Sequence, residues 1–133
     1  MDIKKIEAIE NLKSNGYQII ATTPHNADCD LYDLDITKKT ALFFGAEVKG
    51  CSKETLSLAD KRMKIPIYGF TESYNISVSV SLCLQHLTYK MRQSNMDWKL
   101  PVDQQEKVML QWLRNSIKSA AEIEEKYLSE HTK

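Results

Sequence analysis

Three short apolar runs, residues 17–21, 40–44 and 63–67, lie in the first half of the chain, and what separates them decides the fold. Each has the length and composition of a buried strand. Ahead of the first, Ile3, Ile6, Ile9 and Leu12 recur at helical spacing, with Asp2 as candidate N-cap and Asn15-Gly16 as a stop. Between the second and third, Ser52 is placed to cap a short helix running to about Asp60. Strands alternating with helices predict an α/β fold: a mostly parallel sheet of about three strands with flanking helices. Pro66 lacks a ladder donor, which puts it at a strand exit. Thr22-Thr23-Pro24-His25-Asn26 reads as a turn, and the loop carrying Asp28, Asp30, Asp33 and Asp35 reads as solvated. It lacks the glycine and terminal glutamate of a calcium-binding EF-hand loop.

Residues 76–84 give two answers. Ile76, Val78, Val80, Leu82 and Leu84 alternate with Ser77, Ser79, Ser81 and Cys83, which by periodicity is a strand. The apolar pattern continues to Leu87 and Met91 without a breaker, longer than a typical strand, and a helix is the better expectation. A single joint is expected at residues 95–101. Beyond it, Pro101 and Asp103-x-x-Glu106 suggest a capping box. Leu110, Leu113, Ile117, Ala121 and Leu128 then form the apolar stripe of one long amphipathic helix, widened by Met109 and Trp112. The expected division is residues 1–97 and a helical extension, 98–133.

Charge excludes some functions. Lys and Arg number 18 against 18 Asp and Glu, and the basic residues are scattered, so the basic stripe of a dedicated nucleic-acid module is absent. Cys29, Cys51 and Cys83 are an odd count with no C-x-x-C pair or clustered histidines. That argues against a disulfide framework or a metal site and fits a reducing, cytoplasmic compartment. The charged start Met1-Asp2-Ile3-Lys4-Lys5 has no signal-peptide core, and no apolar run approaches the roughly 20 residues of a membrane span.

The chemistry-bearing residues fall at the ends of the predicted strands. Taken singly, Gly45 and Gly50 are turn residues, Glu47 is a surface acid, and Ser73 and Asn75 are helix caps. Taken in order, Phe44-Gly45-Ala46-Glu47-Val48-Lys49-Gly50-Cys51-Ser52, Ile65-Pro66-Ile67-Tyr68-Gly69 and Glu72-Ser73-Tyr74-Asn75-Ile76-Ser77-Val78-Ser79 resemble the second and third motifs of the SpoU/TrmH group of SPOUT methyltransferases. That group transfers a methyl group from S-adenosylmethionine to a ribose 2′-hydroxyl in tRNA or rRNA. The resemblance runs to about residue 95 and implies the C-terminal part of a SPOUT domain, with its trefoil-knot region and a homodimer joined through the helix that begins near Asn75.

By resemblance, cofactor contacts fall at Thr22, Gly45, Gly50, Ile65, Ile67 and Tyr74, and the catalytic positions at Glu47, Ser73 and Asn75. Tyr74 stands where the family usually has leucine. The family assigns proton acceptance from the 2′-hydroxyl to an arginine in its first motif. Arg62, Arg92 and Arg114 do not stand in a matching context, and no segment here matches that motif. Two functions are therefore expected: an RNA ribose 2′-O-methyltransferase, as a fragment or truncated form, or a catalytically incomplete cofactor-binding and dimerisation domain. His25 is read as a loop histidine away from Asn75, His86 as structural, and His131 as part of a frayed tail.

Overall fold

Ile19, Ile20 and Ala21 are wholly shielded from solvent, so the first strand is covered on both faces, as the central strand of a parallel sheet must be. In the computed structural model, which describes residues 3–131, this strand is the axis of the larger of two compact units, Met1–Met96 and Asp97–Lys133. The expected cap Asp2 lies outside the described residues. The first unit contains α1 (Ile3–Ser14), β1 (Gln18–Thr22), β2 (Cys29–Asp30), a 3-10 turn (Leu31–Asp33), β3 (Thr40–Phe43), α2 (Lys53–Leu58), β4 (Lys61–Lys64) and α3 (Ile76–Gln93). All strand pairs are parallel, in the order β2-β4-β1-β3. The sheet therefore has four strands where three were expected. The addition, β2, is a two-residue Cys-Asp edge inside the acid-rich loop, too short and too polar to show a period.

Side-chain alternation sends neighbouring residues of β1 to opposite faces. Ile20 joins Leu31, Leu34, Met63 and the α3 residue Cys83 in one buried cluster. α1 and α2 also pack on β1, and Ile9 of α1 is buried. Burial pushes the Cys83 thiol up to about 11, so it stays protonated and acts as core filling.

Two aspartates set the sheet register. Each immediately precedes a strand and bonds the neighbouring strand with both its amide and its carboxylate. Asp60 donates its N–H to the Ile19 carbonyl (2.8 Å), and its Oδ2 accepts the Ile19 N–H (2.7 Å). Asp28 donates to the Arg62 carbonyl (2.8 Å), and its Oδ2 accepts the Arg62 N–H (2.8 Å). Its Oδ1 also takes the Arg62 guanidinium at 2.9 Å, which holds the Asp28 carboxyl below its usual range. The acidic loop is thus more engaged than its composition suggests: Asp30 pairs with Lys64 at 3.5 Å, and Asp35 accepts the Thr37 N–H at 2.9 Å.

β4 ends at Lys64, three residues earlier than the apolar run, because Pro66 cannot donate and the chain turns out of the ladder before it. Residues 76–84 are helical: Asn75 caps α3 by accepting the Ser77 N–H at 2.9 Å, and Ser81 bonds back to the Ser77 carbonyl at 2.8 Å.

In the second unit the single long helix expected from the apolar stripe is two helices, α4 (Val102–Ser116) and α5 (Ala120–His131). Ser119 takes a left-handed φ of 57°, which no continuous helix accommodates. The capping residue of α4 is Pro101, without a side-chain cap; Asp103 sits inside the first turn and faces Lys107 at 3.5 Å. Arg114 forks onto Glu124, tying α4 to α5. His131 ends α5 rather than a frayed tail, stacked on Tyr127 with ring centroids 4.2 Å apart.

Asp60 gives a test of the register device. Burial opposes its ionisation, but the Ile19 amide and the Lys13 ammonium (3.0 Å) outweigh it and hold the carboxyl below its usual range. A depressed carboxylate contributes stability that is present above its unfolded value and is lost as pH falls through its folded value. Asp60→Ala is expected to cost about 1–2 kcal/mol at pH 7 in urea unfolding, a figure discounted for the half-exposed carboxylate. The difference from wild type should shrink below about pH 4; a difference unchanged down to pH 3 would show that the carboxylate does not set the register.

Candidate active site

Because β1, β3 and β4 run parallel, all three leave the sheet at one edge, where α/β folds place ligands. Three loops surround that edge, at residues 23–26, 44–52 and 65–75. They enclose a cleft of about 400 Å³, within the range of small-molecule sites.

The middle loop is built from main chain. Ala46 and Gly50 exchange hydrogen bonds in both directions, at 3.1 and 2.8 Å, which folds the loop back on itself. A Cβ on Gly45 would sit 2.0 Å from the Gly50 carbonyl carbon and 2.1 Å from the Cys51 nitrogen, so glycine alone fits. Gly50 holds a left-handed φ of 63°. Glu47 and Lys49 project from the exposed tip, and both line the cleft. Below the loop, the Ser52 hydroxyl accepts the Thr55 N–H at 3.2 Å and starts α2.

The first wall follows β1. Thr22 donates its hydroxyl to the Phe43 carbonyl at 3.1 Å, which locks the ends of β1 and β3 together. In the next turn the Thr23 hydroxyl accepts the His25 N–H (3.3 Å) and donates to the His25 carbonyl (3.0 Å). The third wall follows β4. Ile65 supplies apolar surface, and the Tyr74 hydroxyl reaches back to the Pro66 carbonyl at 3.4 Å. Tyr74 is one of the residues that line the cleft.

Seven of the nine residues singled out from sequence meet in this cleft: Thr22, Gly45, Glu47, Gly50, Ile65, Ser73 and Tyr74. Ile67 and Asn75 are not among its lining residues. Ile67 is two residues past Ile65, on chain that has already left the sheet edge. The Asn75 side-chain oxygen is engaged in capping α3. Sequence reasoning missed two residues. His25 lines the cleft, and its Nε2 lies 3.4 Å from Oε2 of Glu72, which lines it as well. The available signal was position, since His25 follows the same strand end that supplies Thr22. His86 lies elsewhere, edge-on to Tyr32 with centroids 5.0 Å apart, as a packing residue.

The lining combines close-approach backbone, apolar surface and charged side chains of both signs. Glycine backbone allows close approach, Ile65 and Leu56 give an apolar wall, and Glu47 and Glu72 supply negative charge. No arginine lines the cleft among the described residues. Arg62 is paired with Asp28, and Arg114 with Glu124 in the second unit. Among the described residues no helix is long and apolar enough to cross a membrane.

Comparison with known proteins gives a consistent answer. The model of the SpoU rRNA Methylase family matches residues 4–85. A tRNA (guanosine(18)-2′-O)-methyltransferase of Borreliella burgdorferi is 42% identical over 117 residues, covering 88% of this chain and 54% of that protein. Among solved structures, the A. aeolicus TrmH/SpoU tRNA modifying enzyme superposes with a TM-score of 0.72 at 29% identity, over 85% of this chain and 59% of that one. AviRb, a SpoU methyltransferase of Streptomyces viridochromogenes solved in complex with the cofactor AdoMet, gives 0.60 at 26% identity, over 69% and 35% of the two chains. The chain spans about half the length of the curated relatives it matches. Its parallel sheet, its glycine-built cleft and the match over residues 4–85 agree, and the chain belongs to the SpoU RNA methylase family.

Proposed function

We propose that residues 3–96 form the S-adenosylmethionine-binding part of an RNA ribose 2′-O-methyltransferase acting on tRNA or rRNA in the cytoplasm. The single observation that carries this reading is the turn from Gly45 to Gly50, folded so tightly on its own backbone that Gly45 has no room for a Cβ, set at the ends of three parallel strands. The family relatives named as tRNA guanosine enzymes make tRNA the favoured substrate class.

The bound cofactor would supply an electrophilic methyl carbon for in-line displacement by the ribose oxygen. The chain's own residues bind and orient. Gly45 and Gly50 bring main chain to the ligand, and Ile65 and Tyr74 enclose an aromatic base. Glu47 and Ser73 stand at the open side, where they would orient the incoming ribose. Ile67 retains a place in this reading through its backbone, and Asn75 as the cap that fixes the loop carrying Ser73. Something must accept the hydroxyl proton as the methyl arrives. The absence of arginine from the described cleft favours a second reading, in which these residues bind cofactor and dimerise without transferring methyl by themselves.

Assembly is part of the proposal. On α3, Val78 and Leu82 are each more than a third exposed, on the side of the helix away from buried Cys83. A twofold partner seated on this outer face would cover it, and closed twofold pairing is the commonest symmetry of soluble oligomers.

Three outcomes are expected. Titration calorimetry with the demethylated product, S-adenosylhomocysteine, should give saturable binding, abolished in Gly45→Ala; absence of heat at millimolar ligand would overturn the cofactor reading. Sedimentation at micromolar concentration should report about twice the 15.3 kDa chain mass, and a strict monomer would exclude the α3 interface. Transfer of labelled methyl to bulk tRNA and rRNA by these 133 residues should be undetectable, since loss of a positioned proton acceptor costs about a hundred- to ten-thousand-fold. Robust transfer would show that the acceptor lies within the described cleft.

A further inference from the structure

The walls of the cleft that follow β1 and β4 belong to separate loops, and an ion pair joins them across the mouth. His25 on the 23–26 turn meets Glu72 on the 65–75 loop, Nε2 to Oε2, at 3.4 Å. Behind this contact both loops are anchored. The Thr23 hydroxyl bonds the His25 backbone on both sides, and Asn26 follows in a left-handed conformation at φ 50°. Tyr74 ties the far loop to Pro66, and Asn75 fixes its junction with α3. Between these anchors, residues 70–74 are largely exposed, so the His25–Glu72 contact is a direct tie from that stretch to the opposite wall. Ser73 and Tyr74, which line the cleft, are the next residues along the chain.

We infer that His25 is a positioning residue: through Glu72 it holds the Ser73-Tyr74 segment over the ligand, and the grip it gives depends on the charge of its imidazole. This rests on the cofactor reading of the cleft. An imidazole ordinarily changes charge between about pH 5 and 8, and a carboxylate facing it is attracted only while the ring is protonated. The other titratable groups lining the cleft are Glu47, Lys49 and Cys51 on the middle loop and Tyr74 on the far one. Of these side-chain types, imidazole is the one whose charge ordinarily changes in that interval. Both members of the pair are exposed, with side chains 65% and 77% accessible. The effect is therefore that of a surface pair, about two- to fivefold in ligand affinity.

The experiment has two arms, both on the full chain. In the first, binding of S-adenosylhomocysteine is measured at pH 5.5 and pH 8. Wild type should bind about two- to fivefold more weakly at the higher pH, beyond any change shared with His25→Gln. His25→Gln and Glu72→Gln should both be weak and lose that extra dependence. His25→Lys, whose cation persists over the range, should stay tight. In the second arm, amide hydrogen exchange of residues 70–75 is followed without ligand. After correction for intrinsic rates, protection should fall with pH in wild type and stay flat in His25→Gln. Equal pH slopes in wild type and His25→Gln, or flat wild-type exchange, would overturn the role of the pair. Failure of wild type to bind at either pH would instead sink the cofactor reading, with the exchange arm still deciding whether His25 holds the loop.

Discussion

The register of β1 against β4 governs everything the chain presents at the cleft, and that register is held at the opposite end of the sheet. A parallel ladder has evenly spaced bonds and no hairpin to fix its offset, so the offset must come from elsewhere. Here Asp60 provides it, pairing main chain to main chain and carboxylate to amide where β4 begins, and Asp28 sets β2 against β4 in the same way. With Ile20 set opposite Lys61, Thr22 falls opposite Met63. With Gln18 opposite Thr40, Ala21 falls opposite Phe43. The three loops of the cleft therefore start level with one another. A slip of one residue would reverse the faces of an entire strand, burying its polar side chains and exposing its core.

Much of this was legible from residue order alone. Alternating strands and helices give the layered α/β architecture, and Ser52 and Asn75 cap the helices their chemistry suits. The strand ends were less legible, because an apolar run and a hydrogen-bonded ladder stop for different reasons. Ile65 is apolar for the cleft wall and the core, and residues 65–67 are not strand, since Pro66 ends the donor series. β2 was invisible because two residues carry no period, and its place at the sheet edge is decided by Asp28 reaching Arg62 across 34 positions. In the second unit a continuous apolar stripe concealed a break, as Ser119 costs nothing in periodicity yet reverses the chain.

α3 shows why strict alternation misleads. Its inner face, with Cys83 and Leu87, packs on the sheet, and its outer face, with Val78 and Leu82, is also apolar. A helix that needs two apolar faces loses the simple period of an amphipathic one, and small serines between them complete the appearance of a strand. Only length and the Asn75 cap separate the two assignments. The candidate site divides along similar lines. Residues whose role is to be small or apolar at a strand end were found from sequence, whereas His25 and Glu72 meet only because two loops converge in space.

A cleft wall made of main chain also has a consequence for descent with modification. The shape of the 45–50 turn resides in two backbone hydrogen bonds and in the absence of Cβ at Gly45. Ala46, Glu47, Val48 and Lys49 are exposed and line the open side of the cleft, so a change in their identities alters what meets a ligand there without altering the fold of the turn. Such a turn separates inheritance of its backbone shape from inheritance of the side chains it carries, leaving lineages free to retune what meets the ligand while the turn itself is passed on.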